Sequence, residues 1–137
     1  MAVSELSKEK ELVGDGNDSI VIVNDLGDIP GGRTLANTKS ADDEGNAIDY
    51  IPAGVPVYID TDGEYYAYVF GLGENNEADT TNMQAVGILK KSVLLSDPRA
   101  AIMTIGQVNG AAMPGGSDAE YVADVKSDLP RIEFLYV

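Results

Sequence analysis

Residues 100–114 read AAIMTIGQVNGAAMP. Ile102, Met103, Ile105 and Val108 make its first part apolar, and Gly110, the flanking alanines and Pro114 bring the run to a close. A β-branched, apolar run ended by glycine and proline predicts a strand over Ala101–Val108. On its N-terminal side, SDP at 96–98 is a turn, preceded by a short VLL and by a further strand, MQAVGIL, at 83–89. Farther back, VPVYI (55–59) and EYYAYVF (64–70) flank DTDG. Asp62-Gly63 between two such runs is a strong hairpin signal, because glycine takes the positive φ of a tight turn. IPAG (51–54) turns into this hairpin, and GLGENNEADTTN (71–82) is a polar loop.

On its C-terminal side lies the one clear helix. Ser117 and Glu120 have capping-box spacing, and Tyr121, Val122, Val125 and Leu129 form one apolar stripe. Pro130 stops the helix and RIEFLYV closes as a strand. Toward the N-terminus, residues 34–49 read as a polar excursion, Pro30-Gly31-Gly32 as a breaker, and IVIV, Ile20 to Val23, as a strand apolar on both faces that expects cover on both sides. Residues 1–19 read as a charged arm, with GDGNDS at 14–19 breaking any helical start. The predicted fold class is mainly β with one C-terminal helix and a flexible N-terminal arm. The division is an arm over 1–28 and a β domain over 29–137.

Composition narrows function. The chain has 137 residues, 44% of them hydrophobic, which suits one domain with a true core. A net charge of −14 argues against nucleic acid and against an anionic membrane surface. No secretory signal is expected in MAVSELSKEKELVGDG, so the default expectation is an intracellular site of synthesis. With neither cysteine nor histidine, disulfides, thiolate zinc sites and the commonest general base are all excluded. Serines have no histidine to activate them, and Lys91 beside Ser92 on a strand points to the opposite face. No enzyme, no metal and no cofactor is therefore expected. Asp60-Thr61-Asp62-Gly63 and DGNDS (15–19) offer calcium-like oxygens, but both lack the spacing of a calcium loop and read better as turns. Asp42-Asp43-Glu44 reads as a solvated loop.

What survives concerns contact between surfaces. IVIV suits either a strand lent to a partner's sheet edge or a strand in the domain's own sheet. Tyr65, Tyr66 and Tyr68 suit an interface or a half-buried strand equally.

IPAGVPVYI, QAVGIL, AIMTIGQVNGAAMP and the capped helix followed by RIEFLYV, in this order, resemble the head decoration proteins of tailed bacteriophages, the lambda protein D type. The resemblance covers Ile51 to Val137, and residues 1–50 precede it. The matching positions are Ala53 and Gly54; Ala85, Val86, Gly87, Ile88 and Leu89; and Gly106, Val108, Asn109, Ala111 and Ala112. The family implies a small β-barrel or β-tulip-like body that forms a homotrimer on the outer capsid surface of the virion. It clamps the major capsid protein there after synthesis in the host cytoplasm. Its arm orders by adding a strand to the capsid protein. No arm motif transfers, so Ile20, Val21, Ile22 and Val23 are the capsid-binding candidates by physical argument alone. Alternatives are a head-fibre base or other auxiliary capsid protein contacting further head-surface proteins, and a carbohydrate-binding β-module using the tyrosine strand.

Overall fold

Residues 18–136 are described in the computed structural model of the protein. The described residues open with a helical turn, α1 (Asp18–Val21), and run into β1 (Ile22–Asp28). Four two-residue strands follow: β2 (Arg33–Thr34), β3 (Ser40–Ala41), β4 (Ala47–Ile48) and β5 (Tyr50–Ile51). Next come β6 (Pro56–Ile59), β7 (Tyr65–Ala67), β8 (Gln84–Leu89), β9 (Val93–Leu94), β10 (Arg99–Ala100) and β11 (Ile102–Asn109). The helix α2 (Ala119–Asp128) and β12 (Ile132–Leu135) complete the order.

The quoted stretch is the hub. β11 pairs antiparallel with β1 along one side. On its other side it pairs first with β8, at Ile102↔Leu89 and Met103↔Ile88, and then with β12 in parallel from Gly106↔Ile132 to Asn109↔Leu135. The main sheet runs β1-β11-β8-β6-β7, an open path whose two ends do not meet. The mainly β fold with one C-terminal helix is as expected. No closed barrel forms among the described residues.

Both faces of β8 and β11 are covered. Leu89 and Ile102 enter a core with Ile51, Val55, Val57, Ala67 and Val69. Their neighbours Ile88 and Met103 point the other way, into a second core with Val108, Val122, Val125, Leu129, Ile132 and Phe134 beneath α2. Strands buried on both sides need no polar alternation, which explains the unbroken apolar runs in GIL and AIM.

Local departures from the sequence reading have physical causes. The predicted strand IVIV is divided: Ile20 and Val21 close α1, and only Ile22 and Val23 are extended. Val21 is fully buried, its Cγ1 packed where Gly54, at φ 91°, has no side chain. The sequence reading grouped residues 22–28 with the arm; in the structure they form a strand of the body's sheet. The expected arm over residues 1–17 lies outside the described residues. The excursion at 34–49 holds a small ribbon, Ser40↔Ile48 and Ala41↔Ala47, and β2 pairs with β10 far along the chain. Strand EYYAYVF ends early at Ala67, and Phe70–Asn75 turns in 3₁₀ geometry. Helix α2 is capped by Asp118, whose Oδ1 accepts the Tyr121 N–H at 3.0 Å, and not by the preceding Ser117. Both residue types cap well, and the charged one also suits the positive helix start.

Candidate docking surface

β1 is an edge strand: β11 lies on one side and no strand lies on the other among the described residues. Its register against β11 slips three times. Between Ile22↔Val108 and Asn24↔Gln107, Val23 is an extra residue. Between Asp25↔Gly106 and Gly27↔Ile105, Leu26 is extra, and Thr104 is extra on β11 before Asp28↔Met103. A bulge bends the strand and re-aims the side chain that it carries. Here the two bulged residues of β1 are both large, apolar and exposed, Val23 at 44% and Leu26 at 66%. Ile105 stands beside them at 36% exposure, its side chain lying over Gly27, where there is no Cβ to displace it. Ile20, in the preceding turn, is 52% exposed.

The two carboxylates on this strand share one cation from outside it, which leaves a net charge of −1 among the three groups. Lys90, at the end of β8, places Nζ 2.5 Å from Asp25 Oδ2 and 2.8 Å from Asp28 Oδ2. The bonded ammonium holds the Asp25 carboxyl below its ordinary range, overcoming the opposing effect of burial. Bonds to Asp25 and then Asp28 raise Lys90 in turn. Lys90 is anchored by its own backbone N–H, which donates to Ala101 O at 2.9 Å.

The four residues singled out as a docking strand therefore have different fates. Ile20 and Val23 face solvent, Val21 is buried, and Ile22 is half-buried against the second core. Leu26, Ile105 and Lys90 were missed by sequence reasoning. The signals were Gly27 and Gly106, since a glycine inside a strand pattern marks a bulge.

Most residues carrying the family resemblance are buried or hydrogen-bonded within the fold, while Ala111 is exposed. Ala53 N–H donates to Ser92 Oγ at 3.1 Å and Gly54 N–H to Leu89 O at 2.8 Å, tying the IPAG turn to the end of β8. Ala85 and Val86 are half-buried, while Gly87, Ile88 and Leu89 are buried. Gly106, Val108 and Asn109 are buried, and Asn109 holds the following corner: its Oδ1 accepts the Ala111 N–H at 3.2 Å and its carbonyl the Ala112 N–H at 3.0 Å.

The other candidates are committed to structure. Asp60 Oδ1 accepts the N–H groups of Asp62 and Glu64, both at 2.9 Å, which builds the hairpin turn. Asp42 does the same for Glu44 and Asn46, and those bonds, that from Asn46 foremost, hold its carboxyl below the ordinary range. Among the described residues no three acidic side chains gather as a metal-holding group. Of DGNDS, residues 15–17 lie outside the described residues. Tyr65 lies under the Arg33 guanidinium at 5.7 Å, Tyr66 is half-buried, and Tyr68 stacks on Tyr121 at 5.9 Å. Two of these three rings are thus engaged within the molecule. A cavity of about 650 Å³ opens where β11 leaves β8 for β12, between Gln84–Val86 and Asp128–Arg131. At its floor Tyr58 donates to Asp128 Oδ2 at 3.0 Å, and burial, then that carboxylate, push the phenol well above its usual value.

Comparison with family models, curated proteins and solved structures finds no match for the chain.

Proposed function

We propose that the protein is a structural capsid decoration protein. It binds the outer surface of a tailed-phage head as a trimer and stabilises contacts between major capsid proteins, and it performs no catalytic step. The observation that carries this reading is the behaviour of the four segments that resemble the family. They fold, in order, as the β6–β7 hairpin's first strand, β8, β11 with its Asn109 corner, and α2 followed by β12, joined by two shared cores. Also in its favour is the N-terminal strand, which lies at a sheet edge with large apolar side chains exposed.

The role is a mechanical one. A trimer offers three equivalent contacts, and multivalent attachment raises avidity by about 10²–10⁴ when all three engage together. A wrong spacing of shell subunits forbids that, so binding reads the geometry of the expanded shell.

The test is sedimentation with expanded shells of the phage that encodes the chain, followed by electron microscopy of shells with and without it. Added density at the junctions of three capsid subunits, and greater shell stability, are expected. Shells that leave the protein in the supernatant at every concentration would remove the reading.

A further inference from the structure

We infer that the cavity between β8 and the α2–β12 connection is a binding site for a small zwitterion, a molecule that carries both a primary ammonium and a carboxylate, as an amino acid or a short peptide does. Asp128 receives the ammonium and Arg131 the carboxylate. The inference goes beyond the decoration reading and does not depend on it.

The first observation is a pair of opposite charges that the fold keeps apart. One carboxylate, Asp128, and one guanidinium, Arg131, line the cavity of about 650 Å³. Only Leu129 and Pro130 separate them in the chain, yet they do not pair. Asp128 Oδ2 accepts the Tyr58 hydroxyl at 3.0 Å. Among the described residues the Arg131 guanidinium has no hydrogen-bond, ion-pair or ring partner. Their supports differ: Asp128 ends α2 and is tied to β6 through Tyr58, whereas the Arg131 carbonyl accepts the Gly106 N–H of β11 at 3.4 Å. Pro130, with its fixed φ, stiffens the link between them. Opposite charges held apart in one concave site select a ligand that carries the complementary pair.

The second observation is the direction of the hydrogen bonds. The single O–H of Tyr58 is spent on Asp128, and that of Thr104 on the Gly27 carbonyl at 3.2 Å. These two lining oxygens and the carboxylate are left with acceptor capacity alone, so a ligand beside them must bring donors, as an ammonium does. Arg131 is the reverse, an exposed group that can only donate and that suits a carboxylate through two parallel bonds. An anion alone would meet the Asp128 charge, and a cation alone would leave Arg131 without a partner. Ile29, Met83, Val86 and Leu129 supply apolar wall for the hydrocarbon part of the ligand. The volume falls within the range of about 300–1,000 Å³ that small-molecule sites occupy.

Isothermal titration calorimetry of the full chain tests this with leucine and leucylglycine as probes. Two half-ligands serve beside them: isopentylamine, which lacks the carboxylate, and isocaproate, which lacks the ammonium. At least one zwitterion is expected to bind with a Kd of about 1 mM or tighter, and each half-ligand about tenfold more weakly or worse. A preference for leucine or for leucylglycine reports how far apart the site holds the two charges, and either agrees with the inference. Arg131→Gln should erase the advantage of the zwitterion over isopentylamine and keep its advantage over isocaproate. Asp128→Asn should do the opposite. Asparagine still accepts the Tyr58 hydroxyl and Arg131 is exposed, so unchanged thermal melts are expected to show that both variants fold.

Zwitterions that fail to bind at about 10 mM, tenfold above that limit, overturn the inference. So does a zwitterion that binds no more tightly than isopentylamine, or wild-type binding in both variants. Binding of glucose where both zwitterions stay silent would make the cavity a polyol site, and the inference falls. The shell assay is separate: a silent cavity leaves the decoration reading standing, and shells that refuse the protein leave this site standing.

Discussion

At Gly87 strands β8 and β11 approach so closely that an added methyl group would overlap the Met103 carbonyl oxygen. The obstacle is backbone, which cannot rotate aside, so Gly87→Ala must push apart the two strands that serve both cores. A loss of about 1–3 kcal/mol is expected in chemical denaturation. Lys90 is the other residue on which much depends. With its folded pKa lowered, Asp25 contributes stability that is complete above the ordinary carboxyl value of 3.8 and is lost as pH falls through the folded value. With its pKa raised, Lys90 contributes stability that is complete below 10.5 and is lost as pH rises through its folded value. The clasp on β1 is thus whole between those limits. Hydrogen exchange should show the protection of β1 amides falling in acid while that of β6 amides holds; equal loss in both strands would remove Lys90 from this role.

At the level of elements, the helix start gives a direct comparison. Asp118→Ala should cost about 0.5–2 kcal/mol, because the Tyr121 N–H loses its acceptor. Ser117→Ala should stay within about 0.5 kcal/mol. The reverse order in thermal melts would return the cap to Ser117. These neighbours also show where sequence reading stops: residue type located the helix start to within one position, but two adjacent good caps cannot be ranked without the approach angle of the chain. Strands with strong local signals, β6, β7, β8, β11 and β12, were legible because alternation or β-branching and turn chemistry agreed. The two-residue strands were not, since β2 exists only because Arg99 and Ala100 come alongside from far down the chain. The docking patch was half legible. Ile20 and Val23 were chosen for their apolar character, but the bulge that exposes Leu26 depends on register, which is a property of two strands together.

Across the whole molecule, residues 22–28, which the sequence reading grouped with an arm, belong to the body's sheet. Removing residues 1–17 and removing residues 1–28 should therefore differ sharply. The longer deletion strips β1 from β11 and takes away buried Val21, at about 1.5–3 kcal/mol for such a side chain, from a total stability of about 5–15 kcal/mol. Circular dichroism should show a greatly lowered melting temperature for that form, and a smaller change for the shorter deletion. Similar melting curves for the two would mean that β1 contributes little to the sheet. The same reasoning bears on partner assays: loss of binding after removal of 1–28 reports damage to the body, so point substitutions at Val23 and Leu26 are the cleaner probe.

The parallel pairing of β12 with β11 has a consequence for how the protein is made. By the time Ile102 has left the ribosome, every residue of the first core is available to fold. The second core must wait for Ile132 and Phe134, some thirty positions later. Until then Met103 and Val108 lie on a face that nothing else in the nascent chain can fully cover. Birth thus proceeds in two stages, and the interval between them is when chaperones would find a handhold.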